Sequence, residues 1–450
     1  MAARSTNGPL RVFATREEGF EKAWGKICRR RVDSVENVEE VVSAIIERVR
    51  RRGDKELLAC IEEFDGVRLD RVEVSPSEWD AACDRVDSAD RAALAKAAMR
   101  VREFHKKRIP SGWEMREEGG AVMGQRVRPF ERVGLYVPGG KAVYPSSVIM
   151  NAVPASVVEV PEIIMASPPA NLRPELLMAA RLAGVHRVFK MGGAHAVAAL
   201  AYGTKSVPKV DKIVGPGNVY VAAAKRLVFG EVGIDSEAGP TEVCVVADAS
   251  ATPGWLAADL ISQAEHDELA QAVLITHVKK WVKQVQEHLV LQLETLDRAK
   301  IAKRALSSRG AIVVTRDLKE SITLANQYAA EHLVLAVDEP EAAMARVTQA
   351  GAIFLGHYTP VAVGDYLAGP NHVLPTGGTA RFFSPLGVED FLKRNSFVKF
   401  EPSKLRELGS DVIRLAAMEG LTGHGNSVEL RLKKIRRARR ERDAARESET

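Results

Sequence analysis

The sequence is poor in cysteine and aromatic residues, and it lacks long apolar runs. Its cysteines lie far apart without a CxxC pair, so neither a zinc ribbon nor a disulfide framework is predicted; they are Cys28, Cys60, Cys83 and Cys244. No run approaches the length of a membrane span, and the first twenty residues lack the apolar core of a signal peptide. We therefore expect a reduced, cytoplasmic protein with no membrane partner.

The chain also carries little net charge, +5 over 450 residues. Much of the basic excess lies in the tail RLKKIRRARRERDAAR, residues 431–446. The remaining body is close to neutral, which argues against nucleic acid as the main partner. Acidic residues interspersed in the tail favour a solvated helix over an RNA- or membrane-binding arm.

The order of apolar and polar segments predicts an α/β protein of two or three domains. Residues 17–108 are helical in character, with apolar residues at three- and four-residue spacing. From about residue 132, short apolar strands alternate with Ala-rich helices, a pattern typical of parallel α/β units. A second α/β region begins at TEVCVVADAS, and the chain from about residue 385 is predicted to be helical and more polar.

Three glycine-rich loops follow predicted strands: VPGGKAVYPSS, GGAHA and GPGNVY. Glycine lets the backbone approach a ligand closely, and the amino end of a following helix offers free N–H groups to an anion. Each loop is equally explained as a strand-to-helix turn. Their occurrence within 85 residues favours a nucleotide site without deciding it.

The segment LISQAEHDE, residues 260–268, places a polar cluster at the end of an apolar helix. Gln263 and His266 are three residues apart, so they share one helix face and have the spacing of two metal ligands. The solvent-facing side of an ordinary helix gives the same pattern. The spacing alone leaves both interpretations open.

Other polar clusters contain candidate catalytic or ligand residues. Glu331 and His332 directly precede a predicted strand, where His332 is either a general base or a core histidine bonded to a carbonyl. Asp365 lies in a loop rich in Gly and Pro, and His424 lies in another; a turn residue and a helix cap are the alternatives. With Gln263 and His266, these two residues would form a nitrogen and oxygen ligand set suited to zinc.

The residues then show a family resemblance. The run IDSEAGPTEVCVVADASATPGWLAADLISQAEH closely resembles the signature segment of the histidinol dehydrogenase family. Further matching segments are RVGLYVPGGKAVYPSSVIMNAVPA, GGAHAVAALAYGT, KIVGPGNVYVAAAKRLVFG, AEHLVL, GPNHVLPTGGTARFFSPLGVEDF and EGLTGHGNSVELR. The resemblance covers roughly residues 20–435.

The resemblance implies a homodimer with two Rossmann-like α/β domains and a C-terminal extension exchanged between subunits. We expect a helical N-terminal segment at 1–30. The first α/β domain, with the zinc and catalytic residues, is expected at 31–135 and 241–384, and the second, on the NAD side, at 136–240. The helical extension with its basic tail is expected at 385–450.

The resemblance also assigns roles to residues. It implies a zinc ion held by Gln263, His266 and Asp365 of one subunit and His424 of the other, and a catalytic pair, Glu331 and His332. It implies that the substrate contacts the zinc ligands and His332 together with Thr241, His372 and Glu419. It implies NAD contacts at Tyr136, Asn218 and His195, although the family usually has glutamine at the last position. Imidazole can still donate a hydrogen bond there.

The implied reaction is a four-electron oxidation of L-histidinol to L-histidine through L-histidinal, with two NAD⁺ used in succession. Zinc would act mainly as a template for the substrate. His332 would take the hydroxyl proton, and Glu331 would activate water for the second oxidation.

Two alternative functions predict different residues at these positions. A related dehydrogenase acting on a sulfonated propanediol would call for more cationic contacts than His372 and Glu419 provide. A non-catalytic zinc or nucleotide-binding protein with a basic arm predicts the loss of Glu331, His332 or a ligand, yet all of these positions are filled.

Overall fold

The computed structural model describes residues 8–30, 37–139, 143–236 and 239–448. The strands are β1 (Arg11–Ala14), β2 (Trp113–Glu117), β3 (Ala121–Pro129), β4 (Arg132–Tyr136), β5 (Glu162–Ser167), β6 (Arg187–Lys190), β7 (Lys212–Val214), β8 (Gly233–Ile234), β9 (Glu242–Ala247), β10 (Gln271–Thr276), β11 (Ala311–Val314), β12 (His332–Ala336), β13 (Ala352–Leu355) and β14 (Leu392–Phe400). The helices are α1 (Phe20–Cys28), α2 (Val38–Arg52), α3 (Asp54–Cys60), α4 (Pro76–Asp84), α5 (Ser88–Lys106), α6 (Pro145–Val157), α7 (Pro174–Ala183), α8 (Gly193–Tyr202), α9 (Val219–Val228), α10 (Pro253–Ala264), α11 (Lys280–Glu294), α12 (Ala299–Arg309), α13 (Leu318–Tyr328), α14 (Pro340–Met344), α15 (Val361–Tyr366), α16 (Pro402–Met418) and α17 (Thr422–Ser448).

A five-stranded parallel sheet has the strand order β6-β5-β4-β7-β8. Its strands read as nearly continuous apolar runs, such as EIIMAS in β5, because helices cover both faces. The strand order reverses between β4 and β7. In open α/β sheets, ligands bind outside the carboxyl ends of the strands at such a reversal.

A six-stranded parallel sheet has the order β1-β11-β10-β9-β12-β13. Strand β9, EVCVVA, is buried along its whole length. Its alternate residues enter two different apolar cores, with Val243 and Val245 on one face and Cys244 and Val246 on the other. The two sheets and their helices confirm the predicted α/β class.

The N-terminal segment contains a strand that the sequence analysis did not predict. Strand β1 pairs with β11 at the edge of the six-stranded sheet, and α1 follows it. The strand has four residues, RVFA, each of them only partly buried. So short a run carries no clear period-2 pattern, which explains why only the helix was expected.

The packing of the N-terminal helices differs from the domain limits expected from the sequence. Helix α2 shares an apolar core with Tyr136, Ile164 and Phe189 of the five-stranded sheet, although it was grouped with the first α/β domain. Strand β4 also belongs to that sheet, so the expected limit between residues 135 and 136 falls inside the strand. Amphipathic periodicity identifies the apolar face of a helix but not the sheet on which it packs.

The described chain forms two compact units. Both parallel sheets lie in the unit comprising Met1–Ile109 and Pro129–Phe391, and the second unit comprises Pro110–Arg128 and Leu392–Thr450. Within the second unit, β14 and β2 flank β3. Strand β14 falls in the region expected to be helical; it was missed because LKRNSFVKF is mostly exposed and has no regular apolar alternation.

Helices α16 and α17 supply the predicted helical C-terminal region. The basic tail forms the last turns of α17, where Arg437 and Arg439 pair with Glu441 and Asp443 one turn later. These exposed pairs fit the expected solvated helix. Among the described residues, no helix combines the length and the apolar character needed to cross a lipid bilayer.

Candidate active site

Glu331 and His332 lie at the amino end of β12, beside the amino end of β9. Both side chains are buried, with residue exposures of 7% and 4%. Glu331 Oε2 lies 2.8 Å from Thr241 Oγ1 and accepts a hydrogen bond of 2.8 Å from the backbone N–H of Glu242. His332 Nδ1 lies 3.0 Å from the carbonyl oxygen of Glu242. A carbonyl only accepts, so Nδ1 carries the proton and Nε2 keeps its lone pair.

Burial controls the protonation of this pair. It lowers the pKa of His332 below its ordinary value, so the imidazole is neutral at neutral pH. Burial also raises the pKa of Glu331 to about 8, with the nearby Glu242 carboxylate adding to the effect. Two neighbouring residues therefore hold their protons differently: neutral His332 can accept one at Nε2, while Glu331 retains one at neutral pH.

Two of the expected zinc ligands are joined to this pair. Gln263 lies in the last turn of α10, and its Oε1 accepts a hydrogen bond of 2.8 Å from Thr241 Oγ1. Asp365 lies on α15, with Oδ1 3.8 Å from His332 Nε2. Burial raises the pKa of Asp365 to about 6. The fold thus brings together residues that lie more than 100 positions apart in the chain.

His266 and His372 complete this part of the arrangement. His266 follows α10, is exposed, and donates its backbone N–H to Gln263 O at 3.2 Å. His372 is close enough to His332 and His266 for their charges to affect it, and burial lowers its pKa to about 4. Its Nε2 is buried and has no hydrogen-bond partner among the described residues.

The expected zinc ligands of this chain form an incomplete donor set by themselves. Among the described residues, no cluster of three His, Cys, Asp or Glu side chains could hold a metal ion. A set of Gln263, His266 and Asp365 contains only two residues of those types and one neutral amide oxygen. It therefore fits zinc only if another ligand completes the coordination.

His424 and Glu419 belong to the second compact unit. Glu419 directly follows α16, and His424 lies in the first turn of α17; both are exposed. Their expected approach to Gln263, His266 and Asp365 stays a prediction.

The expected NAD contacts lie at the carboxyl ends of the five-stranded sheet. Tyr136 ends β4, and its hydroxyl accepts a hydrogen bond of 3.0 Å from the N–H of Gly193, at the start of α8. Asn218 caps α9 by accepting from the N–H groups of Tyr220 and Val221. These strands flank the reversal of strand order, where a dinucleotide is expected. In the first glycine-rich loop, residues 140–142 lie outside the described residues.

His195 occupies a packed site within this region. It is 1% exposed, its Nε2 lies 3.2 Å from Asp65 Oδ2, and its ring stacks on Phe64 with a centroid distance of 5.9 Å. The imidazole therefore already has an acidic and an aromatic partner. A contact between His195 and NAD stays a prediction.

Comparisons with known proteins identify the family of this chain. The family model for histidinol dehydrogenase matches residues 28–432. This chain belongs to the histidinol dehydrogenase family. The histidinol dehydrogenases of Syntrophotalea carbinolica and Geobacter sulfurreducens are each 52% identical to it, over 94% of this chain and 99% and 100% of theirs. The crystal structure of histidinol dehydrogenase from Elizabethkingia anophelis matches with a TM-score of 0.90 at 33% identity, covering 96% of this chain and all of that one.

The predicted family and enzyme class are confirmed by these matches, and the chain is an oxidoreductase. The basic tail from residue 433 onwards lies beyond the residues that the histidinol dehydrogenase model matches.

Sequence reasoning missed a layer of polar residues beneath the site. Arg30 and Glu242 form a buried ion pair there, and Tyr328 donates its hydroxyl proton to Gln271 Oε1 at 3.1 Å. None of these residues lies in a glycine-rich loop or has metal-ligand spacing. The one signal in the sequence is a glutamate directly before the apolar run VCVVA of β9.

We expect Gly215→Ala to destabilise the region around the carboxyl ends of the five-stranded sheet, where NAD is expected to bind. Gly215 has φ +112°, and an added Cβ would lie 2.1 Å from the Tyr136 carbonyl oxygen. A left-handed conformation costs a non-glycine residue about 1–2 kcal/mol, and forced overpacking adds roughly 1–3 kcal/mol. Thermal unfolding and NAD titration of the variant would measure both consequences.

Gly230 provides the matched control. Its φ is +101°, but no heavy atom of another described residue lies within 4 Å of the added Cβ. Gly230→Ala should therefore show the conformational cost alone. An equal loss of stability in both variants would show that the structure relaxes around the added methyl group near Tyr136 at no cost in free energy.

Proposed function

We propose that this chain oxidises L-histidinol to L-histidine through L-histidinal, passing four electrons to two NAD⁺ in succession. One observation carries the proposal: Glu331 is linked through Thr241 to Gln263, and the adjacent His332 is bound to the Glu242 carbonyl, in a member of the histidinol dehydrogenase family. We further propose that the enzyme is a cytoplasmic homodimer and that it completes histidine biosynthesis.

His332 is the proposed base for both oxidations. Its Nδ1–H is fixed on the Glu242 carbonyl, so Nε2 is oriented to receive the substrate hydroxyl proton as hydride departs. The lowered pKa keeps Nε2 unprotonated at neutral pH. Asp365, 3.8 Å from Nε2, lies where it would stabilise the imidazolium that forms.

Glu331 is the proposed base for hydration of the aldehyde. Its carboxyl group must first lose a proton, because burial raises its pKa to about 8. The guanidinium of Arg30 opposes this effect. Once ionised, Glu331 would take a proton from the water that attacks L-histidinal. The resulting hydrate can then lose the second hydride.

Gln263, His266 and Asp365 would hold zinc together with His424 of the second subunit. The ion would orient the substrate as a template when bound, and NAD⁺ would accept the hydrides. The unpartnered Nε2 of His372 supports a substrate contact there, and Thr241 and Glu419 would supply further contacts. Tyr136, His195 and Asn218 would line the NAD site at the carboxyl ends of the five-stranded sheet.

A sulfonated propanediol is the competing substrate. A sulfonate requires cationic donors, and the guanidinium of Arg30 is already bound by Glu242. No observed contact favours this alternative.

The deciding test counts NADH formed per substrate consumed by zinc-loaded protein. We expect two NADH per L-histidinol and L-histidine as the product. A sulfonated propanediol, supplied under the same conditions, should give no NADH. Turnover of the diol without turnover of L-histidinol would overturn the proposed substrate while leaving the family assignment in place.

A further inference from the structure

Beneath the candidate site, Arg30 and Glu242 form an ion pair that water hardly reaches. Their side chains are 4% and 3% exposed, and Arg30 Nε donates to Glu242 Oε2 at 2.7 Å. Desolvating two charges is costly, so a buried pair is often no more stabilising than apolar residues of the same size. A contribution to folding stability is therefore, by itself, a weak explanation for the presence of this buried ion pair.

Glu242 contacts both proposed catalytic residues through its backbone. Its N–H donates to Glu331 Oε2 at 2.8 Å, and its carbonyl accepts the His332 Nδ1 proton at 3.0 Å. Its side chain binds elsewhere, since Oε1 accepts the N–H of Gly377. Displacing this one residue would move the partners of Glu331 and His332 together.

Arg30 holds the chain just before Glu331. Its Nη2 donates to the carbonyl of Ala329 at 3.1 Å, and its guanidinium lies 3.8 Å from the centroid of the Tyr328 ring. Ala329 has φ +51°, a left-handed conformation that is unfavourable for a residue with a Cβ. Such a conformation persists only where the surroundings enforce it. Arg30 supplies that restraint two residues before Glu331.

We propose that Arg30 and Glu242 are positioning residues, which act through Ala329 and through the Glu242 backbone to fix Glu331 and His332 for catalysis. This inference rests on the proposed function of that pair. Neither side chain is expected to touch the substrate. Losing the pair should therefore lower kcat and leave the KM for L-histidinol nearly unchanged.

Two variants test the proposal by different changes. Arg30→Ala removes the restraint on Ala329, and Glu242→Gln removes the charge while keeping an oxygen for the Gly377 N–H. We expect kcat to fall about 10–100-fold in each, the range typical of partners that orient a site's ligands. Added guanidinium chloride, below denaturing concentrations, should restore part of kcat to Arg30→Ala. Sodium chloride at the same concentration should not.

Arg187→Ala is the matched control. Arg187 also pairs with glutamates, Glu73 and Glu162, and its guanidinium lies over the ring of Phe189 at 5.0 Å. It lies on β6 of the other sheet, outside the proposed site. This variant should lose stability without losing kcat. If Arg30→Ala and Glu242→Gln lose thermal stability but keep an unchanged kcat, the pair only stabilises the fold. That result would overturn the proposal.

A crystal structure of Glu242→Gln or Arg30→Ala gives a readout that needs no substrate. We expect the distance from His332 Nδ1 to the carbonyl of residue 242 to exceed hydrogen-bonding range, or Ala329 to leave its left-handed conformation. Unmoved residues in both variants would contradict the inference. If the unaltered enzyme does not oxidise L-histidinol, the proposed function fails, and this structural comparison still decides the positioning role.

Discussion

His332→Asn should lower kcat for L-histidinol by roughly 10²–10⁴-fold, the usual contribution of a general acid–base group. The asparagine amide can still donate to the Glu242 carbonyl, which accepts from His332 Nδ1 at 3.0 Å in the native enzyme. It has no titratable nitrogen in place of Nε2. The fold and the hydrogen bond should therefore persist while the base is lost. Steady-state NADH formation, with zinc content and thermal midpoint measured on the same samples, would separate these effects.

His288→Asn is the control for that experiment. His288 lies on α11, half-buried and outside the cluster around His332. Its replacement should leave kcat within twofold of the native value, since surface substitutions away from special features rarely matter. A His332→Asn enzyme with native kcat would eliminate His332 as the base and point to another acceptor.

Asp365→Asn should release zinc and abolish turnover together. The change keeps the shape of the side chain but removes the anionic ligand, and amide oxygens are weak, neutral donors. We expect zinc affinity to fall by more than the roughly 10–100-fold that loss of an outer partner costs. Zinc bound per subunit would be measured after dialysis, alongside NADH formation with and without added zinc. Treating the native enzyme with a chelator should reproduce the loss, and zinc should reverse it.

Asp248→Asn tests whether the loss of an aspartate carboxylate away from the site has the same effect. Asp248 follows β9 at its carboxyl end, whereas Thr241 lies at the amino end of the same strand. Its carboxylate accepts from the N–H groups of Ser250 and Asp338, so its loss should lower stability but retain zinc. Full zinc occupancy in Asp365→Asn would exclude Asp365 as a ligand.

The sequence predicted the architecture better than it predicted the contacts. Apolar strands alternating with Ala-rich helices were sufficient to predict parallel sheets, because strands buried on both faces must be apolar throughout. Strand β14 was missed because its residues are mostly exposed. Hydrophobic periodicity reports burial, and an exposed strand carries little of that signal.

For the candidate site, the sequence predicted which residues are neighbours along the chain. It did not predict which distant residues come together in the fold. Glu331 directly precedes β12 and His332 begins it, and their position at the start of a strand could be read from AAEHLVL. The link from Thr241 to both Gln263 and Glu331 spans 22 and 90 positions, and only the resemblance to a family suggested it. Arg30 and Glu242 are 212 positions apart. Neither the residue patterns nor the family resemblance suggested that they form a pair. Local patterns cannot show which distant strands become neighbours.

The edge strand β1 has a consequence for how this chain is synthesised. Its residues Arg11 and Ala14 align with Ala311 and Val314 of β11, so its hydrogen-bonding partner is translated about 300 residues later. At ribosomal rates of 5–20 residues per second, that delay is roughly 15–60 s. During this interval the nascent N-terminus has no native neighbour in the sheet, and β1 can join the sheet only after β11 has left the ribosome.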